Sequence, residues 1–309
     1  MSPDRESRPS CGLVGSGPWV RLVQAPVLAA QRRVTFDRVW ARNTVAAERL
    51  AEQFDLQVCR SHAELVESVD VVSYCVPPTV QAELAVEARR AGRRLLLEKP
   101  VAAGLDGART LLDAGGSADR SVTHYSRLLN AELQRWLLDQ AGGDFVRAEI
   151  VLTNDALLGD NPFAASPWRR APNASLWDLG PHALSIAVAV LGPVASTRAA
   201  AQDGTVRLRL FHRSGAESVI VCSLTATAPQ ESIRLDGADG SVTAPSLVFD
   251  PDGSFNRAVD VLLDGPANRL DAAAADLRFS VHVVAVLEAA EASLLTAEET
   301  PVGYLVAES

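Results

Sequence analysis

The sequence predicts an α/β protein in two parts, a doubly wound parallel sheet followed by an α+β part. In the first half, short apolar runs alternate with helical patterns, as they do in successive βαβ units. Beyond about residue 124, apolar residues instead alternate singly along FVRAEIVL and VRLRLF, which is typical of antiparallel strands covered on one face. The chain has 309 residues, 48% of them hydrophobic, and is therefore long enough for two domains.

The elements of the first part are delimited by turn and capping signals. A glycine-rich turn and Pro18 follow the first strand and open a helix that reaches about residue 30. Asn43 is placed to cap the next helix, and Ser61 with Glu64 forms a capping box for a third. The predicted strands cover residues 11–14, 35–41, 56–59, 71–76, 94–97 and 121–125.

The second part is predicted to combine helices with a mostly antiparallel sheet. One helix lies around 177–190 and a long apolar helix at about 272–296, with several strands between about 194 and 248. Regular βα alternation ends near residue 124. We therefore predict a loose tail at 1–10, a first domain at 11–123 and a second domain at 124–309.

Charge and cysteine content exclude some classes of function and location. The 38 acidic and 29 basic residues give a net charge of -9, so we expect no general attraction to nucleic acid or anionic membranes. Four cysteines without C-x-x-C spacing are too few to staple the chain, which fits a reducing cytoplasm. The charged first ten residues lack the apolar stretch of a signal peptide, and we find no run of about 18 apolar residues. The sequence thus predicts a soluble protein.

Lys99 is the only lysine in the sequence, beside 28 arginines. Arginine keeps its proton in proteins, whereas a lysine amine is compact and can release one. Lys99 is therefore a candidate for a catalytic role that arginine could not fill. The alternative is that this lysine has survived by chance at an exposed site.

The turn Gly15-Ser16-Gly17 after the first strand predicts a nucleotide site. Glycines let the backbone approach a pyrophosphate, whose charge faces the start of the following helix. Val20 stands at the third glycine position of G-x-G-x-x-G, where it would push the helix away from the strand. The alternative is an ordinary glycine-rich βα turn.

The end of the second strand bears on the choice of dinucleotide. Its sequence, Trp40-Ala41-Arg42-Asn43, lacks the acidic residue that binds the ribose hydroxyls of NAD. Arg42 could instead pair with the 2'-phosphate of NADP. We predict NADP, with NAD as the alternative cofactor and a solvated helix-start arginine as the alternative role for Arg42.

Four motifs together resemble the Gfo/Idh/MocA oxidoreductases: GLVGSG, CVPP, LLLEKP and WDLGPH, whose order and spacing cover nearly the whole chain. The resemblance implies an N-terminal Rossmann domain and a C-terminal α/β domain. The open sheet of the second domain would form a dimer interface, which predicts a homodimer or homotetramer. The implied reaction moves hydride between NAD(P) and a hydroxyl or ketone of a small carbohydrate-like substrate, such as a sugar or cyclitol.

The same resemblance assigns catalytic residues. Lys99 matches the EKP lysine beside the nicotinamide and the reacting oxygen, where an ammonium stabilises a developing alkoxide, and the Lys99-Pro100 bond would be cis. Asp178 and His182 match D-x-G-x-H and share one face of a helix. An imidazole can take the hydroxyl proton while the carboxylate binds and orients substrate. Because Ser185 stands where many members have a further aspartate, no metal site is predicted.

The remaining site residues follow from the motifs. Trp168-Arg169 resembles the W-R pair that reaches cofactor or substrate, and Tyr125 is a candidate to line the cleft. Gln81 stands where members often have histidine. For Tyr125 and Gln81 the alternative is ordinary packing. The predicted substrate residues are Lys99, Tyr125, Asp178 and His182, and the predicted cofactor residues are Gly15, Ser16, Gly17, Pro18, Trp19, Ala41, Arg42, Asn43, Val76, Pro77, Glu98, Lys99, Trp168 and Arg169.

Three functions compete at this point. An NAD(P)-dependent oxidoreductase is favoured by the intact Lys99, Asp178 and His182. A non-catalytic, dinucleotide-sensing regulator on the same fold is kept open by Val20 and Ser185. A plain scaffold protein would bind no cofactor at all.

Overall fold

A computed structural model describes residues 8–116, 120–161, 163–164 and 167–304, and the chain divides into two units. The first unit consists of Met1–His124 and Pro251–Leu277, and the second of Tyr125–Asp250 and Arg278–Ser309. This division differs from the predicted one because segment 251–277 returns to the first unit. Of the predicted tail 1–10, residues 1–7 lie outside the described residues, and Ser10 already begins a strand.

The first unit is built on a parallel sheet with the strand order β3-β2-β1-β4-β5-β6, in which consecutive strands are joined by helices. This is the doubly wound arrangement that the sequence predicted. The strands are β1 Ser10–Val14, β2 Thr35–Trp40, β3 Gln57–Val58, β4 Val71–Tyr74, β5 Arg94–Glu98 and β6 Ser121–His124. The helices are α1 Ala25–Ala30, α2 Thr44–Phe54, α3 His62–Ser68, α4 Pro78–Arg90 and α5 Leu105–Asp113.

Helix starts in this unit follow the predicted capping chemistry. The Asn43 side chain accepts a hydrogen bond from the backbone N–H of Ala46, and Ser61 Oγ accepts one from Glu64. Ahead of α1, residues Val20–Gln24 form a π-helical turn in which the Ala25 N–H bonds to the Val20 carbonyl. Val20 itself is fully buried, so the wider turn is where the helix accommodates this side chain in place of glycine.

The second unit contains a mixed, mostly antiparallel sheet with the order β12-β11-β7-β10-β9-β8-β13. Strands β7 and β10 are parallel to each other, and the other neighbours are antiparallel. Its elements are α6 Ala131–Asp139, β7 Phe145–Thr153, α7 Ala174–Leu191, β8 Val194–Gln202, β9 Thr205–His212, β10 Glu217–Ser223, β11 Gln230–Gly237, β12 Gly240–Thr243, α10 Leu277–Thr296 and β13 Thr300–Pro301. Between β12 and α10 the chain forms α8 Pro251–Asp264 and α9 Arg269–Ala275, which belong to the first unit.

Segment 251–277 belongs with the first sheet because α8 packs on β5 and β6 and α9 on β6. Phe255 of α8 is fully buried and meets the ring of His124 edge-on, with centroids 5.1 Å apart. The single helix expected at 272–296 is two helices, since the chain leaves helical geometry at Asp276.

Helix α7 packs against β7, β9 and β10 and supplies much of the core of the second unit. Helices α7 and α10 are long and apolar enough to span a membrane by composition, contrary to the expectation that no such stretch occurs. However, 83% and 67% of their apolar windows are buried inside the protein, as in the core helices of globular domains. The predicted fold class, a parallel sheet domain with a second mostly antiparallel sheet, is confirmed.

Candidate functional site

The glycine turn after β1 has the geometry of a close-approach loop. Gly15 has φ +130°, its N–H donates to the Trp40 carbonyl, and a Cβ there would stand 2.3 Å from the Cys75 carbonyl oxygen. Only glycine fits that position. At Gly17, by contrast, a Cβ would meet no atom within 4 Å. The space over Gly17 is therefore open to a ligand that approaches the backbone, as a pyrophosphate does.

The predicted cofactor residues of the first unit lie along one edge of its sheet. Val14 pairs with Trp40 on one side and Tyr74 on the other, so β1, β2 and β4 end side by side. The turn 15–17 follows β1, residues 41–43 follow β2 and residues 76–77 follow β4. Glu98 is the last residue of β5, and Lys99 comes directly after it. The carboxyl edge of a parallel sheet is where doubly wound domains bind their ligands.

Within residues 41–43 the three side chains differ in what they can do. Ala41 is buried, and the Asn43 carboxamide is used to cap α2. Arg42 is exposed, and among the described residues it has no ion pair or hydrogen bond. Of the three, Arg42 is therefore the side chain available to an anionic ligand.

Oε1 of Glu98 has three polar neighbours, two from the segment that follows the glycine turn and one from β6. Its Oε1 accepts from Trp19 Nε1 at 2.9 Å and Gln24 Nε2 at 2.8 Å, and lies 3.2 Å from His124 Nδ1. His124 Nε2 in turn lies 3.0 Å from Ser254 Oγ on α8. Trp19 and Glu98 thus tie the glycine turn to the end of β5. Gln24 and His124 had no distinguishing sequence context, since isolated polar residues in apolar segments give no pattern.

Lys99 directly follows β5, and the Lys99-Pro100 peptide bond is cis, as the motif implied. Lys99 is partly exposed. The residues on either side of it, Glu98 and Pro100, accept hydrogen bonds from the side chain of Gln81 through their backbone carbonyls. The lysine amine therefore projects from a fixed strand end at the same sheet edge as the glycine turn.

In the second unit, Asp178 forms an ion pair with Arg169. Arg169 Nε lies 2.7 Å from Asp178 Oδ2, and Nη2 lies 3.4 Å from Oδ1. The guanidinium also stacks on two aromatic rings, with its central carbon 4.9 Å from the centroid of Phe163 and 4.5 Å from that of Trp168. The predicted W-R pair and the predicted carboxylate are therefore parts of one cluster, which joins the 3-10 turn Pro167–Arg170 to α7.

His182 lies one turn beyond Asp178 on α7, and both side chains are nearly buried. Pro181 lies inside this helix and has no N–H, so the carbonyl of Trp177 lacks its usual helical partner there. Ser185 Oγ donates to the His182 carbonyl at 2.8 Å, so its hydroxyl is engaged by the helix. Three or more His, Cys, Asp or Glu side chains do not cluster as a metal site anywhere in the described ranges.

Cys222 on β10 lies close enough to Asp178 for its pKa to be affected by the charge of that carboxylate. Burial, with the nearby charge of Asp178 as a smaller cause, raises the pKa of this thiol to about 12. The thiol therefore stays protonated at neutral pH and is no nucleophile.

Tyr125 does not fit the predicted role of lining a substrate cleft. It is fully buried, its hydroxyl donates to Ser280 Oγ at 3.2 Å, and its ring meets Phe279 edge-on. Burial raises the pKa of the phenol well above its usual value. These contacts assign Tyr125 to packing, the alternative that the sequence left open.

Part of the chain matches a known protein family. Residues 10–125 match the GFO_IDH_MocA model, described as an oxidoreductase family with an NAD-binding Rossmann fold. Oxidoreductase P35 of Formosa agariphila is 25% identical over 200 residues, which are 61% of this chain and 62% of the relative. The chain thus spans less than two thirds of the length of that curated relative.

Two solved structures share the fold along nearly the whole chain. GenD2 from gentamicin A biosynthesis, in complex with NAD, has a TM-score of 0.80 and 20% identity over 95% of this chain and 96% of its own. Apo scyllo-inositol dehydrogenase from Lactobacillus casei has a TM-score of 0.81 and 12% identity over 96% and 98%. Residues 10–125 of the first unit therefore match a family of oxidoreductases with an NAD-binding Rossmann fold, and the two solved structures share the fold along nearly the whole chain.

Proposed function

We propose that the protein transfers hydride between a nicotinamide dinucleotide, preferably NADP, and a secondary hydroxyl or ketone of a sugar, cyclitol or related metabolite. The observation that carries the proposal is the shared sheet edge, where the glycine turn at 15–17 follows β1 and Lys99 follows β5, the two strands on either side of β4. A bound nicotinamide would supply the hydride acceptor or donor. The open space over Gly17 fits the pyrophosphate of such a cofactor, and Arg42 fits a 2'-phosphate.

The protein residues divide the remaining work. In oxidation, a substrate CH–OH loses hydride from carbon and a proton from oxygen, and we assign that proton to His182. The ammonium of Lys99 stabilises negative charge that develops on a substrate oxygen. Asp178, held by Arg169, is the carboxylate that binds a substrate hydroxyl. Reduction uses the same groups in reverse.

The substrate class rests on chemistry and on similarity. The cluster of Arg169, Asp178, Phe163 and Trp168 combines hydrogen-bonding groups with aromatic faces, which suits a polyhydroxylated ring. The similar structures include a scyllo-inositol dehydrogenase and an enzyme of gentamicin A biosynthesis. We extend the proposal to a small-molecule substrate in the cytoplasm, with no nucleic-acid or membrane partner. The net charge of -9 and the free thiols of all four cysteines support it.

We also propose that the protein is a homodimer, or a tetramer built from such dimers, through the sheet of the second unit. Along β10, Ile220 and Cys222 are buried on the face that carries α7, while Val219 and Val221 on the opposite face are only half-buried. Val221 pairs in register with Val151 of β7, which extends this apolar strip across two strands. A second copy of the chain would remove the strip from water.

The test is a screen for turnover of sugars, inositols and keto sugars. Absorbance at the nicotinamide band measures the turnover of each compound. We expect turnover in the natural sequence, and a loss of roughly 10² to 10⁴ in kcat for His182→Ala with little change in cofactor affinity. Lys99→Arg should also impair turnover although the charge is kept, because a planar guanidinium cannot occupy the position of the amine. Cofactor binding without turnover of any substrate would favour the dinucleotide-sensing alternative.

A further inference from the structure

The side chain of Gln81, on the first turn of α4, is fully buried and is directed at the backbone on both sides of Lys99. Its Oε1 accepts from the Glu98 N–H at 3.0 Å. Its Nε2 donates to three carbonyl oxygens, those of Glu98 at 2.6 Å, Pro100 at 3.2 Å and Val101 at 3.3 Å. One carboxamide thus contacts the chain before and after the lysine.

This carboxamide takes the place of a neighbouring strand. The ladder between β4 and β5 extends to the pair Ser73 and Leu96, and β4 ends at Tyr74. Glu98 lies two residues beyond Leu96, so its backbone requires other partners on that side. Gln81 offers it one acceptor and one donor, the same two groups that a strand residue would offer. On the side of β5 that faces away from β6, the side chain of Gln81 therefore holds the backbone around Lys99.

From this geometry we propose that Gln81 is the positioning residue for Lys99. Its four hydrogen bonds fix residues 98, 100 and 101, and so the Cα from which the lysine amine projects. The inference rests on the proposed role of Lys99 in turnover, where a displacement of about 1 Å can cost on the order of 10²-fold. Gln81 itself does not touch substrate or cofactor in this proposal.

Two substitutions separate positioning from simple packing. Gln81→Leu has a similar volume but leaves one buried N–H and three carbonyls without their partner, so the chain around Lys99 should relax. Gln81→His supplies one donor and one acceptor in its neutral form and should restore part of the clamp. The matched control is Arg89→Leu, on the same helix, because Arg89 Nη1 donates to the Leu111 carbonyl at 2.8 Å, in a different part of the unit.

The sequence offers an unusually direct readout, because Lys99 is the only lysine. Protein grown with ¹³C-labelled lysine and without a lysine-containing tag gives one lysine ε-carbon signal in NMR. That signal reports on the surroundings of Lys99 and on its titration without any need for turnover. Circular dichroism melting of each variant gives the stability to which the signal is compared.

We expect Gln81→Leu to shift the Lys99 signal and to lower kcat by about 10- to 100-fold, with cofactor affinity nearly unchanged. Gln81→His should give a smaller change in both, and Arg89→Leu should leave both as in the natural protein at a similar loss of melting temperature. If Gln81→Leu does not fold, Gln81→His carries the same comparison with Arg89→Leu.

An unchanged Lys99 signal and turnover in a folded Gln81 variant would overturn the positioning role. So would an equal loss of turnover in Gln81→Leu and Arg89→Leu, since that would be a general stability effect. Failure of the proposed function would be recognised differently. Lys99→Arg would keep full turnover, or the natural protein would turn over no polyol while substitution of Gln81 still shifts the Lys99 signal.

Discussion

At the scale of single residues, the proposed preference for NADP depends on Arg42, just beyond the end of β2. We predict that Arg42→Ala weakens NADPH by about 10- to 100-fold, the usual worth of a hydrogen bond to a charged group, and leaves NADH nearly unchanged. Arg42 is exposed, so the substitution should not affect folding. Fluorescence titration of both cofactors measures the effect. An equal loss for NADH and NADPH would exclude a contact with the 2'-phosphate.

Residue-scale features also show where sequence patterns stop being informative. Motif matches placed Lys99, Asp178 and His182, but they gave no indication that Arg169 pairs with Asp178. Gln24 and His124 lie in apolar segments, and nothing in hydrophobic periodicity indicates that both contact Glu98. Such contacts depend on how separate elements pack, which a linear pattern does not encode.

At the scale of elements, the glycine turn after β1 permits a matched pair of substitutions. Gly17→Ala should keep the stability of the protein, because a Cβ at Gly17 meets no atom within 4 Å, but it should weaken dinucleotide binding by intruding on the pyrophosphate. Gly15→Ala should instead destabilise the fold, since its Cβ would stand 2.3 Å from the Cys75 carbonyl oxygen at a positive φ. Thermal melts and NADPH titrations distinguish the two. Unchanged NADPH affinity in Gly17→Ala would contradict the placement of the cofactor.

The elements themselves followed closely from the sequence, with one exception in how they are grouped. Capping residues such as Asn43 and Ser61 start helices where predicted, because their side chains satisfy free N–H groups locally. The sequence assigns segment 251–277 to the second domain because regular βα alternation ends near residue 124. The spacing of its apolar residues predicts that this segment is helical. It does not predict that α8 and α9 pack against the first sheet.

At the scale of the whole molecule, two buried histidines should make stability depend on pH. His282 Nε2 accepts from the Val194 N–H at 3.0 Å and Nδ1 donates to the Tyr304 carbonyl at 2.8 Å, which requires the neutral ring. Burial lowers the pKa of both His282 and His212 below 6.5. A group with a lowered folded-state pKa binds more protons when unfolded, so stability is full above pH 6.5 and falls below it.

The measurement is urea unfolding at pH 7.5, 6.5 and 5.5, where each histidine can contribute up to about 1.4 kcal/mol per pH unit. We expect His282→Gln to be less stable at pH 7.5 and to lose less stability on acidification than the natural protein. The same pH dependence in both proteins would show that His282 is not a source of it.

Assembly is the second prediction at this scale. Val221→Asp places a charge on the half-buried strip opposite α7 and should convert the proposed dimer to monomer. Leu295→Asp is the control, because Leu295 is 84% exposed near the end of α10 and should not affect assembly. Light scattering at micromolar concentration gives the mass of each. A natural protein that is monomeric there, or an unchanged mass for Val221→Asp, would refute assembly through this sheet.

The most direct test of the central claim is NADPH titration of protein labelled with ¹³C at its only lysine, Lys99. The claim is that the sheet edge formed by the glycine turn and the end of β5 binds a nicotinamide dinucleotide beside Lys99. The predicted result is a shift of the Lys99 signal that saturates at the dissociation constant found by fluorescence and is lost in Gly17→Ala. A Lys99 signal that does not move at saturating NADPH would contradict the account.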